Sequence, residues 1–280
     1  MLSFFTSPTS RPHPSFSKRF KQVPRDLVQK VNGNTTEQGF RYIGSQILAG
    51  IESELTSIAK ARGLKSDILA SSRQIMDFGS GLGRVILQIA ERWPNKEIVG
   101  FDIDPLMNKW AGHLLCDKKV RLVSSTLDIP EQSFDLITAI SVFTHLDAST
   151  DFWLSEVRRL LSPGGFAFIT YQDDTLFDEM RAKGELPATT KIEDKYIFGP
   201  DSAEGGAGMG AFYTTAYWRQ VLEKYFNVEA IKPRGLFGHQ SVSVVSRKDV
   251  QVDRAPLFEA YAASLERDLY KLRRRYKVSY

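Results

Sequence analysis

The chain has 280 residues, 42% hydrophobic and 25% charged, with 37 Lys and Arg against 33 Asp and Glu for a net charge of +4. This is an ordinary globular composition, with room for one large α/β domain and appendages. One cysteine, Cys116, excludes an internal disulfide and a cysteine zinc cluster and fits a reducing, cytoplasmic setting, and no run approaches the roughly 20 apolar residues of a membrane helix.

Residues 1–24 read as a flexible lead-in rich in Ser and Pro. With Arg25 they carry Arg11, Lys18, Arg19 and Lys21 and no acid. Met1-Leu2-Ser3-Phe4-Phe5 is too short for a signal-peptide core. Ile43, Ile47, Leu48, Ile51, Leu55 and Ile58 keep a 3–4 spacing, which predicts one helix or two over Arg41–Arg62, stopped by Gly63. A strand over Gln74–Phe78 runs into the turn Gly79-Ser80-Gly81-Leu82-Gly83. A helix follows with Val85, Ile86, Ile89, Ala90 and Trp93 on one face, ending before Pro94. Strand Lys96–Phe101 delivers Asp102. Asp104 is the natural N-cap of helix Leu106–Leu115, and Val120–Ser124 is the third strand.

Phe134–Ile140 is almost wholly apolar, as a parallel strand buried on both faces must be. Helix Thr150–Leu161, a Pro163-Gly164-Gly165 turn and strand Phe166–Tyr171 complete the alternating part. Residues 172–212 break the alternation. They are polar, end near Gly205-Gly206-Ala207-Gly208-Met209-Gly210, and read as a lid or insertion. Helix 214–225 and strands 226–231 and 240–246 follow. After Pro256 a last helix places Phe258, Tyr261, Leu265, Leu269, Leu272 and Tyr276 at helical spacing, a stripe for packing or a homodimer contact. The segmentation is thus 1–24 lead-in, 25–250 main domain with its insertion, and 251–280 an amphipathic helix. The basic residues at the chain's two ends read as solvated segments, or as contacts for acidic partners.

Strand, glycine turn, helix, strand and carboxylate make the layout of half a Rossmann nucleotide site. Two residues narrow the ligand. Asp77 stands just before the glycines, and Arg84 stands where a dinucleotide site carries its third glycine. A pyrophosphate needs an unobstructed helix N-terminus without negative charge. A cofactor with a positively charged amino acid tail and no phosphate profits from the carboxylate, and S-adenosylmethionine is one.

Four ordered segments carry a resemblance: Asp77-Phe78-Gly79-Ser80-Gly81-Leu82-Gly83; Val99-Gly100-Phe101-Asp102; Ser133-Phe134-Asp135-Leu136-Ile137 through Ser141-Val142-Phe143-Thr144-His145-Leu146; and Leu161-Ser162-Pro163-Gly164-Gly165. Over roughly residues 40 to 246 the chain resembles the class I S-adenosylmethionine-dependent methyltransferases. The resemblance implies a Rossmann-like, doubly wound, seven-stranded α/β sheet, mostly parallel with the last strand antiparallel. It implies S-adenosyl-L-methionine as cofactor and S-adenosyl-L-homocysteine as product. Cofactor contacts would come from Asp77, Gly79, Ser80, Gly81 and Gly83, from Asp102 on the ribose hydroxyls, from Ile103 against adenine, and from Thr126, Leu127 and Ser141.

Methyl transfer is an in-line displacement that positioning accelerates, and a base is needed only where the acceptor must lose a proton. His145 and His239 are the candidate bases, each with a structural hydrogen bond as its alternative. Tyr171, Tyr213 and Gln240 are candidates to line the acceptor pocket, with Tyr213 equally at home in the core. No metal ligand set is expected. The expected acceptor is an oxygen or nitrogen of a small molecule. The segment Ile140-Ser141-Val142-Phe143 lacks the Asn/Asp-Pro-Pro-aromatic motif that holds a flipped base, which disfavours nucleic acid. A nucleic-acid or protein methyltransferase and a non-catalytic cofactor-binding partner protein are the runners-up.

Overall fold

The computed structural model describes residues 14–205 and 208–276. The chain opens with α1 (Phe16–Phe20), α2 (Arg25–Asn32), α3 (Glu37–Ala61) and α4 (Ile68–Ser71). The alternating part is β1 (Gln74–Phe78), α5 (Arg84–Arg92), β2 (Glu97–Phe101), α6 (Pro105–Leu114), β3 (Val120–Val123), β4 (Phe134–Ala139), α7 (Thr150–Leu160) and β5 (Leu161–Asp173). The insertion holds α8 (Asp174–Ala182), β6 (Lys195–Phe198) and β7 (Gly210–Tyr213). The chain closes with α9 (Thr215–Glu223), β8 (Phe226–Leu236), β9 (Gln240–Arg247) and α10 (Ala255–Tyr276).

Strands β3-β2-β1-β4-β5 are parallel in that order, and β9 lies antiparallel between β5 and β8. These seven are the predicted sheet. Two more make nine: β7 runs parallel beside Gln172 and Asp173 at the end of β5, and β6 pairs antiparallel with β7. The middle strands are closed to water on both faces, with Ile75, Met76, Leu136, Ile137, Ala167 and Phe168 fully buried. The side chains alternate between two cores. One lies under α1–α6 and the other under α7, α9 and α10.

Four features differ from the sequence-based expectation. The predicted flexible lead-in is folded from α1 onward, while residues 1–13 lie outside the described residues. Phe20 packs on Phe40 at 5.4 Å, and buried Arg19 donates to the Leu114 carbonyl and pairs with Asp117. Aromatic anchors outweigh a composition rich in Ser and Pro. The short helices α2 and α4 are new, and α3 starts earlier than predicted because the Thr36 hydroxyl caps it, accepting from Gly39 N–H. The insertion, for which no elements were predicted, holds α8, β6 and β7 and its own small core of Phe177, Leu186 and Phe212. Finally, β8 runs five residues beyond its predicted end, to Leu236.

On α10, Tyr261 faces inward and stacks on Phe152 at 4.2 Å. Phe258, Leu265, Leu269 and Leu272 remain exposed. No helix among the described residues is long and apolar enough to cross a membrane.

Candidate active site

A cavity of about 450 Å³ opens beyond the C-terminal ends of β1, β2 and β4, where the strand order reverses. An adjoining recess of about 140 Å³ shares Gly79, Asp102, Ile103, Ser141, His145 and Gly205 with it and ends on Phe78, Phe101 and Trp153. The sequence builds its floor through the glycine turn. The N–H groups of Gly79 and Ser80 both donate to the Phe101 carbonyl, tying β1 to β2 at 2.7 and 2.9 Å. Gly79 has φ +75°, and a Cβ there would stand 2.4 Å from Val142 Cγ2, so only glycine fits. The Ser80 hydroxyl is buried at the cavity wall without a protein partner.

Asp77 borders the cavity from below. It is 3% exposed and accepts a hydrogen bond of 2.7 Å from Thr138 Oγ1. Burial pushes its carboxyl up to about 7, opposed by the Thr138 hydrogen bond and the charge of Arg84. Asp102 accepts from Gly81 N–H at 2.8 Å on one oxygen and from Asp104 N–H at 2.9 Å on the other. Burial raises its pKa too, and those hydrogen bonds pull against the rise. Each oxygen keeps a lone pair for a further donor, the arrangement a vicinal diol requires. Ile103 stands at the rim, half exposed.

Ser141 follows β4 in the left-handed region, φ +59°, held there by its N–H donating to Thr170 Oγ1. Such backbone strain in a non-glycine residue concentrates at functional sites. Gln240 Nε2 donates to Ser141 Oγ at 2.8 Å. His145 sits in a 3-10 turn, Phe143–His145, and borders both lobes. Its Nδ1 lies 2.6 Å from the Met209 carbonyl. A carbonyl only accepts, so Nδ1 carries the proton and neutral His145 keeps its lone pair on Nε2.

Several site residues were not expected. Arg84 Nη1 donates to the Val31 carbonyl and to Asn32 Oδ1, holding the end of α2 so that Lys30 and Val31 wall the cavity. Asp104 caps α6 as predicted, through Leu106 N–H, and also lines the cavity. Glu204 and Gly205 reach in from the insertion. Asp77, Asp102, Asp104 and Glu204 thus face Lys30 and Arg84, an acid excess that suits a cationic ligand. The glycine floor, the paired acceptors on Asp102 and the orphaned Ser80 hydroxyl together fit S-adenosylmethionine.

Seven expected site residues do not line it: Gly83 turns the chain into α5 at φ +78° against Leu115, Gln240 reaches the wall only through Ser141, and five others lie elsewhere. Thr126 is buried and donates to Glu156 at 2.7 Å, within a cluster that also holds Arg159. Leu127 points to solvent, 70% exposed. Tyr171 is wholly buried and stacks on Trp218 at 5.0 Å, its hydroxyl pushed up to about 12 by burial. Tyr213 donates to the Leu146 carbonyl and is a core aromatic whose pKa burial raises further. His239 lies exposed in the β8–β9 turn. Nothing in the chain before β1 marked Lys30, and Glu204 had one sequence signal, the glycines that follow it.

Residues 76–167 match the family model of a methyltransferase domain. An uncharacterized protein of Rickettsia prowazekii is 31% identical over 124 residues, covering 42% of this chain and 49% of that protein. The malonyl-[acyl-carrier protein] O-methyltransferase of Geobacter sulfurreducens is 33% identical over 114 residues, covering 39% of this chain and 42% of that protein. The chain thus matches less than half the length of either relative. A solved structure from Listeria monocytogenes, assigned to the S-adenosylmethionine-dependent methyltransferases, superposes with a TM-score of 0.51 at 14% identity. It covers 72% of this chain and all of that one, and shares the fold. Over residues 76–167 the chain is thus similar to a methyltransferase domain, and its fold is that of the S-adenosylmethionine-dependent methyltransferases.

Proposed function

We propose that the protein transfers a methyl group from S-adenosyl-L-methionine to an oxygen or nitrogen of a small molecule. One observation carries the reading: the two lobes meet at Ser141 and His145, with the Asp77 and Asp102 carboxylates on the glycine side. When bound, the cofactor supplies an activated methyl on a sulfonium. The protein's own residues bind, orient and handle the proton. Asp102 accepts from the ribose hydroxyls, the aromatic recess takes the adenine, and ionised Asp77 offsets the cationic amino acid end. His145 Nε2 takes the proton from a hydroxyl or ammonium acceptor, while Met209 fixes its tautomer. The name of the Geobacter relative supports oxygen as the acceptor atom. The insertion borders the site through Glu204 and Gly205, where the acceptor must enter.

The exposed stripe of α10 supports a homodimer. Its exposed Leu265, Leu269 and Leu272 offer an apolar face to a second copy. Sedimentation of the wild type and of Leu265→Ser/Leu269→Ser tests this; equal masses at all concentrations would reject it.

Calorimetry tests the central reading. S-adenosylhomocysteine should bind and NAD should not, and the reverse result would overturn the proposal. A panel of hydroxyl, carboxyl and amine acceptors with radiolabelled cofactor then identifies the acceptor class.

A further inference from the structure

The insertion touches His145 on both sides of its glycine turn. Gly205 N–H donates to the His145 carbonyl at 2.8 Å, and His145 Nδ1 donates to the Met209 carbonyl. Residues 199–205 form a strap beside the site, held largely from outside. Its Glu204 carboxylate accepts from Ala148 N–H at 3.0 Å, from Ser149 N–H at 3.2 Å and from the Ser149 hydroxyl, at the start of α7. Ser202 N–H donates to the Gly199 carbonyl within the strap at 2.9 Å, and the further contacts named here come from α10. Ser264, 3% exposed, donates to Glu204 Oε1 at 2.9 Å. Asp268 Oδ2 accepts from Glu204 N–H at 2.9 Å. Lys271 Nζ donates to the Ser202 carbonyl at 3.1 Å and lies 3.5 Å from Asp268. The helix itself is anchored, because Tyr261 stacks on Phe152 and Arg254 pairs with Glu156.

We propose that Ser264, Asp268 and Lys271 of α10 are positioning residues. They latch the strap, and the strap presents His145 to the site in its Nδ1–H tautomer. The inference rests on the reading of His145 as the proton acceptor. It assigns α10, which contributes nothing to the cavity wall, a part in the chemistry. One face of the helix holds the strap while the apolar stripe lies on another, so latch and stripe use different residues.

The test is nitrogen NMR of the full chain with 15N-labelled histidine, above neutral pH. The chain has four histidines, and His145→Gln identifies the signal. In the wild type His145 should show one protonated nitrogen, Nδ1, and one bare nitrogen, Nε2. Ser264→Ala/Asp268→Ala should average the two and speed amide exchange across 199–205 about tenfold, as expected for losing one or two hydrogen bonds. Asp268→Asn keeps an oxygen for Glu204 N–H and should restore both readouts, which a general loss of packing would not do. Leu265→Ser, on the outer face, should change neither.

Faster exchange in the strap with an unchanged His145 tautomer would overturn the proposal, and so would no change in either readout. If the double variant does not fold, Ser264→Ala and Lys271→Met each remove one contact and decide it by the same readouts. S-adenosylhomocysteine binding by the wild type is measured separately. Its absence would overturn the functional reading and leave the tautomer result to judge the latch.

Discussion

Asp77 is a nearly dry carboxylate whose pKa of about 7 stands above its ordinary 3.8. The folded, ligand-free protein therefore holds a proton between roughly pH 4 and 7 that the unfolded chain has lost. Its stability should fall as pH rises through that window and level off above it. Asp77→Asn keeps an acceptor for Thr138, and it should flatten this dependence and stabilise the ligand-free protein at pH 8 by at most about 4 kcal/mol. Thermal melts from pH 4 to 8 check this, and equal slopes for both proteins would refute it. A cationic cofactor favours the ionised form, so its affinity should climb with pH up to about 7 and drop at least about tenfold in the Asn variant. Asp102→Ala should cost about 2–4 kcal/mol of S-adenosylhomocysteine affinity by calorimetry, because it removes the diol acceptors and also frees Gly81 N–H. Both acids were legible in the sequence, since the turn they flank is local. Lys30 and Glu204 were not. They reach the cavity only through tertiary contacts, from a helix bound by Arg84 and a strap bound by α10.

At the scale of elements, α3 and α5 cross closely at Gly44, where an added Cβ would lie 2.7 Å from the Arg84 carbonyl. Gly44→Ala should destabilise by about 1–3 kcal/mol despite its better helix propensity. It should also weaken cofactor binding, because Arg84 carries the wall formed by α2. Denaturant melts and calorimetry measure the two effects, and a stabilised variant would contradict the close crossing. Periodicity recovered the long elements, since burial on both faces writes continuous apolar runs in β4 and burial on one face writes a 3–4 stripe in α3. It missed α1, α2 and α4, whose single turns or pairs of turns leave too short a pattern. The elements inside the insertion went unread for a related reason. Its core of three large side chains is drawn from Phe177, Leu186 and Phe212, too far apart in the chain to form a local signal.

Across the whole molecule, the insertion and α10 are joined to each other through the 199–205 strap. Limited proteolysis should cut within 183–194 or 199–208 before any strand of the sheet, and saturating S-adenosylhomocysteine should slow cleavage in 199–208, because Glu204 and Gly205 line its cavity. Unchanged cleavage in that stretch would argue that the strap does not feel the cofactor. The alternation of strand and helix was legible because each crossover carries local signals. The β6–β7 addition was not, since β7 pairs with only Gln172 and Asp173 of β5. The N-terminal helices also have a consequence for how the chain is made. Arg19 is bound to Leu114 and Asp117, 95 and 98 residues on, and Arg62 at the end of α3 pairs with Glu229, 167 residues on. Helices α1 and α3 therefore meet these partners only after α6 and β8 have been made. Loop closure over such spans is slow. In pulse-labelled refolding, the amides of α1 should gain protection after those of β1 and β4: helices made before the sheet are fastened after it.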